Sequence, residues 1–159
     1  MAKRNSPLKT KPAAPDDALD PFVCFAVYSA GLAFNRVYKP LLDRLGLTYP
    51  QYLAMVLLWQ RDGQAVGELG EKLFLETSTL TPLIKRLESA GYVTRKRDGA
   101  DERVVRVSLT EAGRMLAEEA ACVPEEILRA TGMTVEQLGA MRDALVVMRG
   151  HLRESAGEG

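Results

Sequence analysis

One change of hydrophobic period constrains this chain more than any other feature. Apolar residues recur at helical spacing over most of its length, but "YVTRKRD" (from Tyr92) and "RVVRVSL" (to Leu109) are short, β-branched and alternating, joined by "GADE". Alternation across a turn-forming link is the pattern of a β-hairpin, with Val105, Val107 and Leu109 on one face and Val104, Arg106 and Ser108 on the other. Immediately before it, "AVGELGEKLFLETSTLTPLIKRLESAG" reads as a short helix near Val66–Phe74, a tight turn, and a helix from about Ser78 to Ala90 closed by Gly91. A helix-turn-helix running straight into a hairpin leaves few folds open. The expected class is mainly α with a small β-hairpin wing: a winged helix-turn-helix with further helices on either side.

Those outer segments carry their own punctuation. Asp20-Pro21 suggests a cap followed by proline in the first turn, opening a helix that places Phe22, Phe25, Ala26, Ser29 and Ala33 along one side and runs toward Tyr38, with Pro40 as a kink or restart. Thr48 and Gln51 form a capping-box pattern for a helix to about Arg61. Thr110 caps a helix through "EAGRMLAEEAACVPEEIL", bent at Pro124, and Thr134 with Gln137 opens the last one. The expected organisation is a disordered arm over 1–18, a dimerisation and sensor helix over 19–47, the winged domain over 48–113 and C-terminal dimerisation helices over 114–159. Long amphipathic helices at both ends need an apolar partner, and a second copy supplies one.

Charge points to what the middle of the chain meets. Lys+Arg and Asp+Glu number 21 each, so there is no global pull toward a polyanion. Residues 85–106, however, hold seven bases against four acids, and residues 110–159 reverse the balance. In a winged helix the second helix enters the major groove and the hairpin reaches the backbone or the adjacent minor groove. Ser78, Thr79 and Thr81 offer hydroxyls, Pro82 shares their face, Lys85 and Arg86 flank them for phosphate, and "RKRDGADER" makes a basic wing with Arg97, Asp101 and Arg103. Similar helices and hairpins also serve as protein-interaction modules, and charge runs are often only solvated faces. No segment is a membrane span or a signal-peptide core, so a cytoplasmic protein with no membrane partner is expected. Two cysteines 98 positions apart and the single His151 fit no metal cage, so neither a metal nor a cofactor is expected.

The stretch "STLTPLIKRLESAGYVTRKRDGADERVVRVSLTEAG" resembles the core of the MarR-type winged-helix repressors, whose wing carries Asp-x-Arg followed by hydrophobics and Leu-Thr-x-x-Gly, matched here by Asp101, Arg103, Leu109, Thr110 and Gly113. The resemblance covers about residues 19–155. It implies a homodimer interlocked through its first and last helices, a palindromic double-stranded operator, and an Arg103 that Asp101 orients for the minor groove.

Cys24 can be read from its position alone in two ways. A helix N-terminus stabilises negative charge, and phenols of Tyr28, Tyr38, Tyr49 or Tyr52 can donate to a thiolate; a cysteine in an apolar helix is also ordinary packing. "VCFAVYSA" and "YKPLLDRLGLTYPQYL" are similar to one MarR branch, the organic-hydroperoxide-sensing repressors of the OhrR type. That likeness implies Cys24 as the redox-sensing thiol, Tyr38 and Tyr49 as its hydrogen-bond donors, and a repressor that releases DNA when an organic hydroperoxide oxidises Cys24. It also implies a resolving cysteine in the fifth helix of the other subunit, at a position that aligns near Arg129. Cys122 lies about two helical turns, roughly 10 Å, from there, against the Cα separation of about 7 Å that a disulfide tolerates. Cys122 is thus a candidate resolving thiol that needs a local rearrangement, with a small cellular thiol as the alternative. A repressor released by a small aromatic ligand is the other functional reading. An enzyme is not expected, because a thiol peroxidase needs an arginine beside its cysteine and residues 20–35 hold no Lys, Arg or His.

Overall fold

The computed structural model describes residues 18–157, so nearly all of the expected 1–18 arm lies outside the described residues. The elements are α1 (Val23–Asp43), α2 (Tyr49–Gln60), β1 (Gln64–Ala65), α3 (Val66–Leu73), α4 (Thr77–Ser89), β2 (Val93–Arg97), β3 (Val105–Leu109), α5 (Glu111–Ala120), α6 (Val123–Thr131) and α7 (Val135–Ser155). The chain divides into two compact units after Ala33, within α1.

In the first unit, Asp20 is not the helix cap. Residues 18–21 form a turn in which the Phe22 amide donates to the Leu19 carbonyl, and the Phe22 carbonyl then accepts from Phe25 and Ala26. The helix starts past Pro21, at Val23. Cys24 is consequently the second residue of α1, closer to its N-terminus than the Asp20 cap implies. Phe25 and Ser29 are half-buried, while Phe22, Val27, Tyr28 and Leu32 are exposed.

The second unit is built around α2, whose Tyr52, Ala54, Met55 and Leu58 are buried with Leu80, Leu83, Ile84 and Leu87 of α4, Val93, Val107 and Leu109 of the sheet, and Leu116 and Val123 beyond it. The expected capping box of Thr48 and Gln51 is half made: the Gln51 side-chain oxygen accepts from the Thr48 amide at 2.8 Å, while the Thr48 side chain makes no cap hydrogen bond. The sheet has three antiparallel strands in the order β1-β3-β2, with Val93 opposite Leu109, Arg97 opposite Val105 and Gln64 opposite Val107. The alternation therefore holds as read, but the hairpin gains a third strand too short to show a period. Gln64 anchors that strand: it is buried, its amide donates to the carbonyls of Leu57 (2.7 Å) and Arg61 (2.6 Å) at the end of α2, and its oxygen accepts from Lys72. Asp62 ties the wing base down, accepting from the Leu109 amide at 2.8 Å and pairing with Arg114 at 2.7 Å.

The turn between α3 and α4 is tight. A Cβ at Gly70 would stand 3.0 Å from the Leu75 carbonyl oxygen. Phe74 follows in the left-handed region (φ 56°, ψ 39°), a conformation that costs a non-glycine residue roughly 1–2 kcal/mol.

The helix expected from Thr110 through Pro124 is two helices. Proline at 124 has no amide to give the Ala120 carbonyl and its ring clashes with it; α5 ends at Ala120, and Cys122 becomes the N-cap of α6. The capping box of Thr134 and Gln137 opens α7 as read, and α7 has no buried residue; Val135, Met141, Leu145, Val146, Val147 and Leu152 are exposed. Among the described residues, no helix is long and apolar enough to cross a membrane.

Candidate DNA interface and thiol site

Placed at about 100° per residue, the buried Leu80, Leu83, Ile84 and Leu87 occupy one side of α4. Ser78, Thr79, Pro82, Lys85 and Arg86 are exposed on the other. Pro82 has no amide to offer the Ser78 carbonyl, so one acceptor is left open on that exposed face. Thr81 differs from its neighbours: it is half-buried and lines a cleft toward the wing with Ile84, Arg95 and Arg103.

Two of the seven bases of residues 85–106 are tied to other parts of the domain. Arg95 makes a two-nitrogen clip on Glu88 (2.7 and 2.8 Å), and these hydrogen bonds hold the Glu88 carboxyl below its usual range. Arg106 pairs with Asp98 and donates to the Gly63 carbonyl, joining the wing to the end of α2. Asp98 is held below the usual carboxylate range first by the Ala100 amide and then by Arg106. Lys85, Arg86, Lys96, Arg97 and Arg103 remain outward. Lys96, on the same strand as Arg97, is exposed as well.

At the wing tip the Asp101 carboxylate accepts from both the backbone amide (3.0 Å) and the Nε (3.2 Å) of Arg103. The Arg103 side chain is 92 % exposed. An exposed guanidinium with its Nε fixed by a carboxylate leaves its remaining donors to solvent, as entry into a narrow groove requires. Arg97 is steadied through the Glu102 carbonyl at 3.1 Å.

Cys24 lies in the first unit, exposed in the single chain, with no acidic residue in the first turn of its helix. Tyr38, Tyr49 and Tyr52 form a cluster in the second, with centroids 4.6 Å apart for Tyr38–Tyr49 and 6.1 Å for Tyr38–Tyr52. Burial, followed by the neighbouring phenols Tyr49 and Tyr52, pushes Tyr38 up to about 12. It therefore stays a hydrogen-bond donor across the physiological range. Burial likewise raises Tyr52, with smaller contributions from Tyr49 and Cys122. Tyr52 thus belongs to the cluster with Tyr38 and Tyr49, a membership that only packing reveals. A phenol raised in the fold binds its proton more tightly folded than unfolded. Stability should therefore be intact below about pH 10 and fall as pH rises toward 12. Tyr38→Phe should flatten that alkaline loss, and ultraviolet phenolate titration should lose its latest-titrating tyrosine.

Cys122 is exposed, with its thiol toward the Glu119 carbonyl at 3.8 Å. Arg129, about 10 Å along α6, is paired with Glu125 and Glu126. Among the described residues there is no group of three His, Cys, Asp or Glu side chains able to hold a metal.

The family model described as "Transcriptional regulator SarA/Rot" matches residues 36–120. The chain is 48 % identical over 140 residues to the HTH-type transcriptional regulator TtmR of Methylorubrum extorquens, covering 88 % of this chain and 72 % of that one. It is 44 % identical over 126 residues to the organic hydroperoxide resistance transcriptional regulator of Bacillus subtilis, covering 79 % and 86 %. Among solved structures it is similar to reduced AbfR bound to DNA, a protein of Staphylococcus epidermidis, with a TM-score of 0.70 at 32 % identity over 84 % of this chain and 93 % of that one.

Proposed function

This chain belongs to the SarA/Rot family of MarR-like winged-helix transcriptional regulators and is of the organic-hydroperoxide-resistance type, and from that premise we propose that it is a repressor that leaves its operator when an organic hydroperoxide oxidises Cys24. The observation that carries this reading is the phenol pair Tyr38–Tyr49, packed at 4.6 Å with Tyr38 held protonated. Two donors of this kind are what a thiolate in an apolar setting requires.

The thiolate sulfur of Cys24 attacks the distal oxygen of ROOH. The S–O bond forms as the O–O bond breaks, and the alkoxide takes a proton to leave as ROH, giving a sulfenic acid. A second thiol then condenses with it, releasing water and forming a disulfide; a small cellular thiol or Cys122 of a second subunit is that partner. A sulfenic acid is neutral and does not draw the two phenol protons as a thiolate does, so oxidation removes the interactions that hold the reduced arrangement. The exposed apolar residues Val27, Tyr28 and Leu32 of α1 and Met141, Leu145 and Leu152 of α7 support a homodimer built from these helices. Two reading helices related by a two-fold axis select a palindrome.

DNA contacts are assigned to Ser78, Thr79, Thr81, Pro82, Lys85 and Arg86 of α4 and to Arg97, Asp101 and Arg103 of the wing. Arg103→Ala should weaken operator binding roughly tenfold at fixed salt, in line with the loss of one groove-inserted arginine. Asp101→Asn should cost less, because the guanidinium survives and only its orientation is loosened.

The test is fluorescence anisotropy on a palindromic duplex that the wild-type protein selects from random sequence, titrated with cumene hydroperoxide and then dithiothreitol. Release by the first and recovery with the second support the reading. DNA retained throughout the titration, with release by a small aromatic acid instead, overturns it in favour of a ligand-gated repressor.

A further inference from the structure

α7 buries none of its side chains, yet two of its residues reach the helix-turn-helix. The guanidinium carbons of Arg149 and Arg153 lie 4.3 and 5.0 Å from the centroid of the Phe74 ring. Four residues apart, they project from one face of α7.

Phe74 is the C-cap of α3 and opens the turn into α4. It is also the one non-glycine residue with positive φ among the described residues. A glycine would take that backbone without strain, so the ring stands at a position its own backbone disfavours. What the ring does there is offer a π-face to two cations. The cleft they share is lined by Leu75, by Thr77, the first residue of α4, and by Glu71 and Glu76. One contiguous path thus joins α7, through the ring and a strained turn, to the start of the helix that presents Ser78 and Thr79.

We propose that Arg149 and Arg153 clamp Phe74 and thereby fix the α3–α4 turn, making the C-terminal helix a positioning element for DNA reading. The inference rests on the assignment of α4 as the reading helix. A displacement of α7 strips both cations from the ring and loosens the turn, so changes in the end helices reach α4 without passing through the hydrophobic core.

The test uses the full-length reduced protein and four variants. Phe74→Leu keeps the bulk, the backbone and every charge but removes the π-face, and the double variant Arg149→Gln/Arg153→Gln removes the cations. Phe74→Tyr and Arg149→Lys/Arg153→Lys retain the interaction. Affinity is measured by anisotropy on the palindrome selected by the wild type and on a scrambled duplex, with thermal midpoints alongside. Hydrogen exchange is followed over residues 74–80. The first two variants should bind the palindrome about fivefold more weakly, a modest loss for a pair of exposed cation–π contacts. Their turn amides should exchange about fivefold faster. Phe74→Leu should leave the scrambled duplex and the midpoint unchanged, and the conservative pair should behave as wild type. If Phe74→Leu matches wild type in both binding and exchange, or loses the midpoint and both duplexes together, the clamp is overturned. If the wild type selects no palindrome, the reading-helix assignment fails by itself, and hydrogen exchange still decides the clamp.

Discussion

Cys24→Ser should bind the operator as the reduced wild type does and should no longer release it to organic hydroperoxide. The substitution exchanges sulfur for oxygen at the second residue of α1, an exposed position where a serine hydroxyl is well tolerated near a helix N-terminus. The exchange leaves the fold of the chain undisturbed. A serine hydroxyl does not displace alkoxide from a peroxide, so the S–O step that begins the switch is gone. In wild type the expected loss of operator affinity on oxidation is about 100-fold, in the upper part of the range for coupling between separate sites; in Cys24→Ser it is under twofold. Anisotropy at fixed salt measures the first quantity, and peptide mapping places the oxidised sulfur, as sulfenic acid or disulfide, at Cys24. Release that persists in Cys24→Ser would move the sensor elsewhere. Cys122→Ser separates the routes that follow. If Cys122 resolves the sulfenic acid, the variant stops at that oxidation state and forms no intersubunit disulfide; if a small thiol does so, the variant responds as wild type.

Gly113→Ala should be the most destabilising single-methyl change in the molecule. A Cβ there would lie 2.0 Å from the carbonyl oxygen of Tyr92 and 3.0 Å from its carbonyl carbon, both backbone atoms that cannot swing aside. The same carbonyl accepts from the Thr110 amide, the Gly113 amide donates to the Thr110 hydroxyl, and the Trp59 indole donates to the Gly113 carbonyl at 2.8 Å. Making room therefore opens the junction of wing, α5 and α2 together. Overpacking with loss of such bonds costs at least about 3 kcal/mol, which lowers the midpoint by roughly 6–12 °C in a chain of this size. Gly67→Ala is the control. Nothing stands within 4 Å of its Cβ, so it should leave the midpoint unchanged or raise it slightly. Thermal denaturation at one protein concentration checks both.

The Leu-Thr-x-x-Gly pattern shows where a sequence motif becomes physics. As letters, Leu109, Thr110 and Gly113 mark a resemblance. In the fold Thr110 is the N-cap of α5 and Gly113 the point where that helix meets a backbone carbonyl. The Thr48–Gln51 bond and the full capping box of Thr134 and Gln137 were readable because their partners lie three residues apart. Asp62, Gln64, Arg95 and Arg106 were not, since each is defined by a partner on another element: Leu109 and Arg114 for Asp62, Asp98 and Gly63 for Arg106. Counting charges along residues 85–106 therefore overstated what is available to a phosphate by the two arginines paired to carboxylates within the domain.

By itself, the sequence determined the winged helix-turn-helix, the face of α4 that carries Ser78, Thr79 and Lys85, and the basic wing, because helical and strand periods and local caps depend on neighbours a few residues away. Only the tertiary structure decided that Cys24 is the second residue of its helix, that Cys122 caps α6, that Tyr52 joins Tyr38 and Tyr49, and that Phe74 lies under two arginines of α7. Those depend on where a proline lets a helix begin and on contacts between elements far apart in the chain, and neither a period nor a motif records them.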